Sequence, residues 1–435
     1  MNKTVEKGKT LLVDGPASVI VVSGKTAVFG LVLKNGQKVV IREGKQLPFA
    51  VEEPTTFDVS LGEGAGMEEV DGNTVPPSWS KAYEELSNIQ AKPATILVLG
   101  TIDSGKTSFC TFLINKLTEA KQKIAILDGD LGQSDIGPPC TVAYTIVSKP
   151  LTDLFNLEAK NAFFVGVTSP SSAVEKAVEG LASLKKEALT HNPDWIIVNT
   201  DGWVGEEAAV RYKTQLVEKL CPDIVFCIQQ ADELTPLVNA LEKFRRVHVE
   251  SPQAVRQRSR EKRKNLRELG YVKYLKDAKI QSIPLSWVKI EEDMPVCLSD
   301  NISLRQARKI YDLLGMKSLH VSERPDKICL VVGRERWINP EGIKRVEEFA
   351  GKKVEIVWKG EEEGLLTALY NSERRFLGIG VLREVHYKRK TVKIYTSVAR
   401  DIAIVSIGKV KLNRSLKEVP TLLTPENSAN LHKLS

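Results

Sequence analysis

Residues 100–107 read Gly-Thr-Ile-Asp-Ser-Gly-Lys-Thr, a full match to the phosphate-loop pattern G-x-x-x-x-G-K-[ST]. Gly100 and Gly105 let the backbone wrap closely around a polyanion, and the N–H groups of the following helix start would point at it. Lys106 offers a mobile cation to the β- and γ-phosphates, and the Thr107 hydroxyl is placed to ligate Mg²⁺. The expected nucleotide site is Gly100, Thr101, Ile102, Asp103, Ser104, Gly105, Lys106, Thr107 and Ser108, with a nucleoside triphosphate and Mg²⁺ as ligands. The loop by itself implies a nucleoside triphosphate and leaves the reaction open.

Further candidates follow it. Ile126–Gln133 places Asp128 and Asp130 two apart at a second strand end, so they share one side if the strand runs through them. One could hold Mg²⁺ through water and the other accept a proton from an attacking hydroxyl. We expect base duty at Asp128 and metal support at Asp130, though the reverse also satisfies the pattern. Asn199-Thr200-Asp201-Gly202-Trp203 ends another strand, and Trp203 there offers a face to a nucleobase, or else closes the core beneath a glycine turn. The hydroxyl-rich loop around Thr168 either touches substrate or caps a helix.

Charge points the same way. Residues 251–279 hold ten Lys or Arg against three acidic residues, which accounts for the whole net charge of +7. Arg256, Arg260, Arg263 and Arg267 recur at spacings that put them on one helix face. Such a face can neutralise charge in phosphoryl transfer, or hold nucleic-acid phosphates, or simply be solvated.

The elements that position these residues are legible from pattern. Ala94–Leu99 is a short apolar run rich in β-branched residues, followed by helical spacing from Ser108 to Leu117. Strand runs at 123–127, 162–167, 195–199, 224–228 and 247–249 alternate with helical stretches at 173–189 and 206–220. This predicts an α/β fold with a central doubly wound parallel sheet of the P-loop NTPase kind. Short alternating runs before residue 75, with Asn35-Gly36 as a hairpin signal, predict one small β-domain, and runs after 320 predict a second. The expected division is 1–75, 76–310 with a basic lid at about 251–279, and 311–435. No apolar run is long enough to span a membrane, six cysteines form no C-x-x-C pair, and five histidines form no ligand cluster. A cytoplasmic protein without zinc or a membrane partner is expected.

In combination the motifs resemble the polynucleotide 5′-hydroxyl kinase family, the RNA kinases of mRNA 3′-end cleavage and pre-rRNA processing and their archaeal relatives. The resemblance rests on the phosphate loop with Asp103 before Ser-Gly-Lys, on Asp128-Gly129-Asp130-Leu131-Gly132-Gln133, on Thr200-Asp201-Gly202-Trp203, and on Arg256 with Arg260. Glu363–Leu369 and Phe376–Leu382 look like the family's C-terminal β-domain. The resemblance implies transfer of the ATP γ-phosphate to the 5′-hydroxyl of RNA, with DNA as a further acceptor. It implies catalytic roles for Lys106, Asp128, Asp130, Arg256 and Arg260, metal binding by Thr107 and by Asp130 through water, and nucleic-acid contacts at Gln133, Thr168, Thr200, Trp203, Arg260 and Arg263. The β-domains leave room for protein partners. The competing classes are a P-loop ATPase or GTPase switch in assembly and an ATP-binding scaffold.

Overall fold

The strand Ala94–Gly100 is buried along its whole length, as a run without polar alternation requires when both faces are covered. It is the third from one edge of a seven-stranded sheet. In spatial order the strands are Asn161–Phe164, Thr141–Val147, Ile124–Gly129, Trp195–Thr200, Ala94–Gly100, Ile224–Gln229 and Arg246–Glu250. The last five are parallel to one another. This is the sheet of a P-loop NTPase, and the carboxyl ends of its parallel strands open on one crevice.

One strand differs from expectation. Thr141–Val147 was not among the expected strands, and it runs antiparallel to Ile124–Gly129; Asn161–Phe164 pairs antiparallel with it and so points the same way as the other five. The chain leaves Ile124–Gly129 through residues 130–140, which contain no crossover helix, so its return must be antiparallel.

The computed structural model describes residues 1–254, 257–292, 302–316, 318–333 and 339–420. The chain divides into two compact units, Met1–Gly270 and Tyr271–Ser435. The first unit also holds a seven-stranded antiparallel sheet from the N-terminal residues. Asn35-Gly36 is not its hairpin: Leu31–Leu33 and Lys38–Ile41 both pair with Ala17–Val28 rather than with each other. The tight turn is at Phe29-Gly30, both left-handed, with φ of 45° and 76°. The loop at Gly36 clings to the same long strand through Gly36 N–H to the Val21 carbonyl at 2.7 Å.

That turn docks the N-terminal sheet on the phosphate-loop helix Lys106–Glu119. Asn115 donates to the Phe29 carbonyl at 3.0 Å. Trp79, on the linking helix Pro77–Glu85, is fully buried against Phe29, Phe109 and Phe112, with its indole N–H on the Glu250 carbonyl at 3.0 Å.

The second unit is not purely β. Its seven-stranded sheet takes in Lys279–Pro284 and Lys289–Glu292, which sequence pattern placed with the P-loop domain. A three-stranded sheet, His320–Glu323, Lys327–Val332 and Lys353–Trp358, shares a core with helices Leu304–Leu314 and Pro340–Ala350. The helix signals are local: a capping box of Ser303 with Gln306, Asn339 before Pro340, and left-handed Gly315 and Gly351 at the ends. No helix among the described residues is long and apolar enough to cross a membrane.

Trp79 ties three elements together, so Trp79→Ala should cost about 3–5 kcal/mol of stability in urea or thermal unfolding. A loss under about 1 kcal/mol would mean that the linking helix is not part of the core.

Candidate active site

Four strand ends build the site. Ala94–Gly100 delivers the phosphate loop, in which Asp103 and Gly105 take left-handed φ values of 55° and 94° and Gly105 precedes the helix. Gly100 has no room for a side chain: a Cβ there would lie 2.5 Å from Ser104 Oγ and 2.8 Å from the Ile228 carbonyl. Lys106 is buried and turns its ammonium onto the loop's own Thr101 carbonyl at 2.6 Å. Burial lowers its pKa to about 8, with Asp130 opposing the shift. Ser104 Oγ is buried without a hydrogen-bond partner among the described residues. A lysine folded on its own loop, an orphaned hydroxyl and a ring of N–H groups suit a triphosphate. Thr101 and Ser108 are half-buried around it and Ile102 is exposed.

Asp128, at the end of Ile124–Gly129, is fully buried and saturated. Its Oδ1 accepts from Asp130 N at 3.3 Å and Asn199 Nδ2 at 3.2 Å. Its Oδ2 accepts from Asp135 N at 2.7 Å, Ser134 Oγ at 3.2 Å and Ile136 N at 3.3 Å. Burial, with the Asp135 and Asp130 charges, pushes its pKa up to about 7. Asn199 Nδ2 also reaches Thr107 Oγ1 at 3.3 Å, so it joins the carboxylate to the expected metal hydroxyl. Asn199 had no role in the sequence reading, although it opens the motif that names Thr200 and Trp203.

Asp130 is half-buried and differs in kind. Its Oδ1 accepts from Gly132 N at 3.0 Å and Gln133 N at 2.9 Å, while among the described residues nothing bonds its Oδ2. Burial and the Asp201 charge raise its pKa.

The third strand end carries the aromatic. Gly202 approaches the phosphate loop so closely that a Cβ would sit 2.6 Å from Ile102 N. Trp203 follows it, half-buried and stacked on Tyr212 at 5.9 Å between ring centroids. Asp201 holds this turn. It accepts from Trp203 N at 2.9 Å, Tyr212 Oη at 3.1 Å and the fully buried Lys213 at 2.7 Å. Burial lowers the Lys213 pKa, and Asp201 opposes it. Thr200 does not meet the expectation of a nucleic-acid contact. It is fully buried, and its hydroxyl donates to the Val98 carbonyl at 2.8 Å, which ties two strands together.

The basic segment lies over the phosphate loop. Ser251 Oγ donates to the Ser104 carbonyl at 2.9 Å. Asp103 accepts from Arg258 N at 2.8 Å and pairs with Arg258 Nε at 3.4 Å and Arg263 Nη1 at 3.7 Å. The helix is Arg260–Tyr274, so Arg258 precedes the register that sequence spacing implied. Arg260 is exposed at its start, and Arg256 lies outside the described residues. Gln133, expected at nucleic acid, donates its amide N–H to the Arg263 carbonyl at 2.9 Å and so fastens the lid helix. Thr168 is half-buried, with its carbonyl 3.0 Å from where a Gly132 Cβ would be.

The site also depends on a residue far off in sequence. Arg42, from the N-terminal sheet, pairs with Asp135 and donates to Asp153 at 2.8 Å, with Phe155 4.5 Å beneath its guanidinium. Asp135 N is the shortest donor to Asp128, so Arg42 braces the loop that holds the buried carboxylate. Burial alone would raise the Asp153 pKa, but Lys45 and Arg42 hold it at about 2. Neither partner has a local motif. Among the described residues no group of His, Cys, Asp and Glu could by itself hold a metal ion.

Residues 100–277 match the family model described as mRNA cleavage and polyadenylation factor CLP1 P-loop. The chain is similar to the polyribonucleotide 5′-hydroxyl-kinase of Pyrococcus abyssi, 26% identical over 358 residues that cover 80% of this chain and 96% of that one. The enzyme so named from Methanocaldococcus jannaschii is 27% identical over 350 residues, 78% of this chain and 93% of that one. Among solved structures, that of a wild-type Clp1p–Pcf11p complex superposes with a TM-score of 0.65 at 14% identity over 94% of this chain and 97% of that one, a likeness of fold.

Two outcomes test the site. Gly202→Ala must displace Ile102, so ATP binding by calorimetry should weaken by about 10- to 100-fold while the melting temperature holds. Asp153 has a folded pKa below the unfolded value of about 3.9, so its stabilisation is whole above about pH 4 and is lost as pH falls towards about 2. Arg42→Lys keeps the charge and loses the fork. Its deficit in urea unfolding should therefore be widest near neutral pH and narrow as pH falls, and a deficit independent of pH would contradict the brace.

Proposed function

We propose that the chain is an ATP-dependent polynucleotide 5′-hydroxyl kinase, a reading supported by the match of residues 100–277 to the CLP1 P-loop family model. It moves the γ-phosphate of ATP to the 5′-hydroxyl of RNA, with DNA as a second acceptor and the cytoplasm as its place of work. The observation that carries this reading is Asp130, a carboxylate with one oxygen unengaged, set beside a phosphate loop and a half-exposed Trp203. A nucleotide switch has no need of a proton acceptor next to a base-sized aromatic face.

We read the roles of the two carboxylates in the reverse of the sequence expectation. Asp128 has a donor on each oxygen and is joined to Thr107 through Asn199, so it belongs on the metal side. Thr107, oriented by Asn199 and through it by Asp128, would hold Mg²⁺, which neutralises phosphate charge when bound. Asp130, with its raised pKa and open Oδ2, is the group to orient the 5′-hydroxyl and take its proton. Lys106 leaves the Thr101 carbonyl for the β- and γ-phosphates. Arg258 and Arg263, held above the loop by Asp103, stabilise charge on the transferring group, with Arg260 and Arg256 nearby in sequence. Trp203 stacks on a base near the 5′ end, and Tyr212, Asp201 and Lys213 hold it in place. Gln229–Asp232, where a switch protein would read its base, spends its polar groups on its own loop: Gln230 N and Ala231 N both donate to Glu233 at 2.9 Å.

The pure protein with γ-labelled ATP should label a 5′-hydroxyl oligoribonucleotide, and Lys106→Ala should lower transfer on the order of 10²–10³-fold while remaining folded. Release of free phosphate with an unlabelled oligonucleotide would sink the kinase reading. Asp130→Asn should reduce kcat by about 10²-fold or more with ATP affinity retained, whereas Asp128→Asn should weaken Mg·ATP binding. The opposite pattern would restore base duty to Asp128.

A further inference from the structure

The second unit carries an aromatic and cationic edge that the phosphoryl-transfer site does not use. Trp287 is 75% exposed, in the short turn that follows Lys279–Pro284. Ile280, on the same edge strand, is 62% exposed. The strand pairs with Thr391–Thr396 so that Ile280 faces Tyr395 and Pro284 faces Thr391. Along Thr391–Thr396, Val392, Ile394 and Thr396 are buried, and Thr391, Lys393 and Tyr395 are turned to the other face. The Arg383 guanidinium lies 5.3 Å from the centroid of the Tyr395 ring, and Lys393 pairs with Glu384 at 2.7 Å.

The hairpin tip completes the edge. Lys388, Arg389 and Lys390 are consecutive and exposed, with no acidic residue between His386 and Thr391. Leu285 N donates to the Lys390 carbonyl at 2.8 Å, so the Trp287 turn and the cationic tip are fastened side by side. From the Ile280–Tyr395 pair to the Pro284–Thr391 pair is four residues, or about 13 Å.

We propose that this edge of the C-terminal sheet, with Trp287 as platform and Lys388, Arg389 and Lys390 as phosphate contacts, binds single-stranded nucleic acid along its body. The geometry favours a polynucleotide over an acidic peptide because a wide indole face lies open beside the cations. Stacking needs that face and carboxylates do not. The length suits two or three nucleotides, and nothing along the edge is specialised to recognise a 5′ end. The inference rests on the kinase reading for its ligand class, but binding can be read without turnover.

The test uses the full chain and a 5′-phosphorylated single-stranded RNA of about 20 nucleotides, followed by fluorescence anisotropy without ATP. Trp287→Ala should raise Kd about five- to tenfold. K388A/R389A/K390A should lower the slope of log K against log salt by about 2. All four side chains are exposed, so melting temperatures should hold. Phosphorylation of a dinucleotide acceptor should be unchanged in both variants, while KM for the long acceptor rises. Unchanged Kd and salt slope in folded variants would overturn the proposal and leave the edge to an acidic protein partner. Loss of RNA binding in the variants, with no phosphorylation by the parent protein, would sustain the surface and sink the kinase reading.

Discussion

A carboxylate removed from water has to be matched donor for donor, and Asp128 sets that demand at the centre of this protein. Burial and two neighbouring carboxylates push its pKa up to about 7 in spite of five hydrogen bonds. The loop from Asp130 to Ile136 doubles back because its N–H groups are three of the donors. Asn199 faces inward because it is a fourth, and Ser134 supplies the fifth. The same fold of the loop leaves Asp130 at the mouth of the site. One buried charge thus fixes the positions of both acidic residues, and the difference in their surroundings separates their chemistry.

Much of this was legible in the sequence because the relevant signals are local. The phosphate loop, the five parallel strands and the helices at 174–189 and 207–220 are set by short apolar runs and glycine placement. What was not legible depends on partners distant in the chain. Arg42 is one arginine among many until the fold brings Asp135 and Asp153 to it, more than ninety residues away. Lys213 sits on a helix and reads as a surface charge, yet it is fully buried because Asp201 waits at the neighbouring strand end. Thr200 matched a motif by type, but its hydroxyl is spent within the sheet.

The misread elements have the same origin. Asn35-Gly36 is a sound turn signal, but a turn does not say which strand its flanks will pair with. Thr141–Val147 is apolar and β-branched like its neighbours, and its direction is decided by the loop before it. The helices at 304–314 and 340–350 did carry caps at both ends, so they were readable from punctuation and were missed by following strand runs alone.

The Arg42 brace bears on how such a protein can be recombined in evolution. The span that matches the CLP1 P-loop family begins at residue 100, after the sheet that contributes Arg42 and Lys45. Grafted onto another scaffold without that sheet, the span would carry Asp135 and Asp153 into the interior stripped of their cations. A buried charge that loses its partner typically costs about 3–5 kcal/mol, a large part of the stability of an ordinary domain. The brace therefore couples the stability of the P-loop segment to the N-terminal sheet. A gene fusion that keeps the nucleotide motifs and exchanges the β-sheet would have to replace two charges in the same position, or both carboxylates with them.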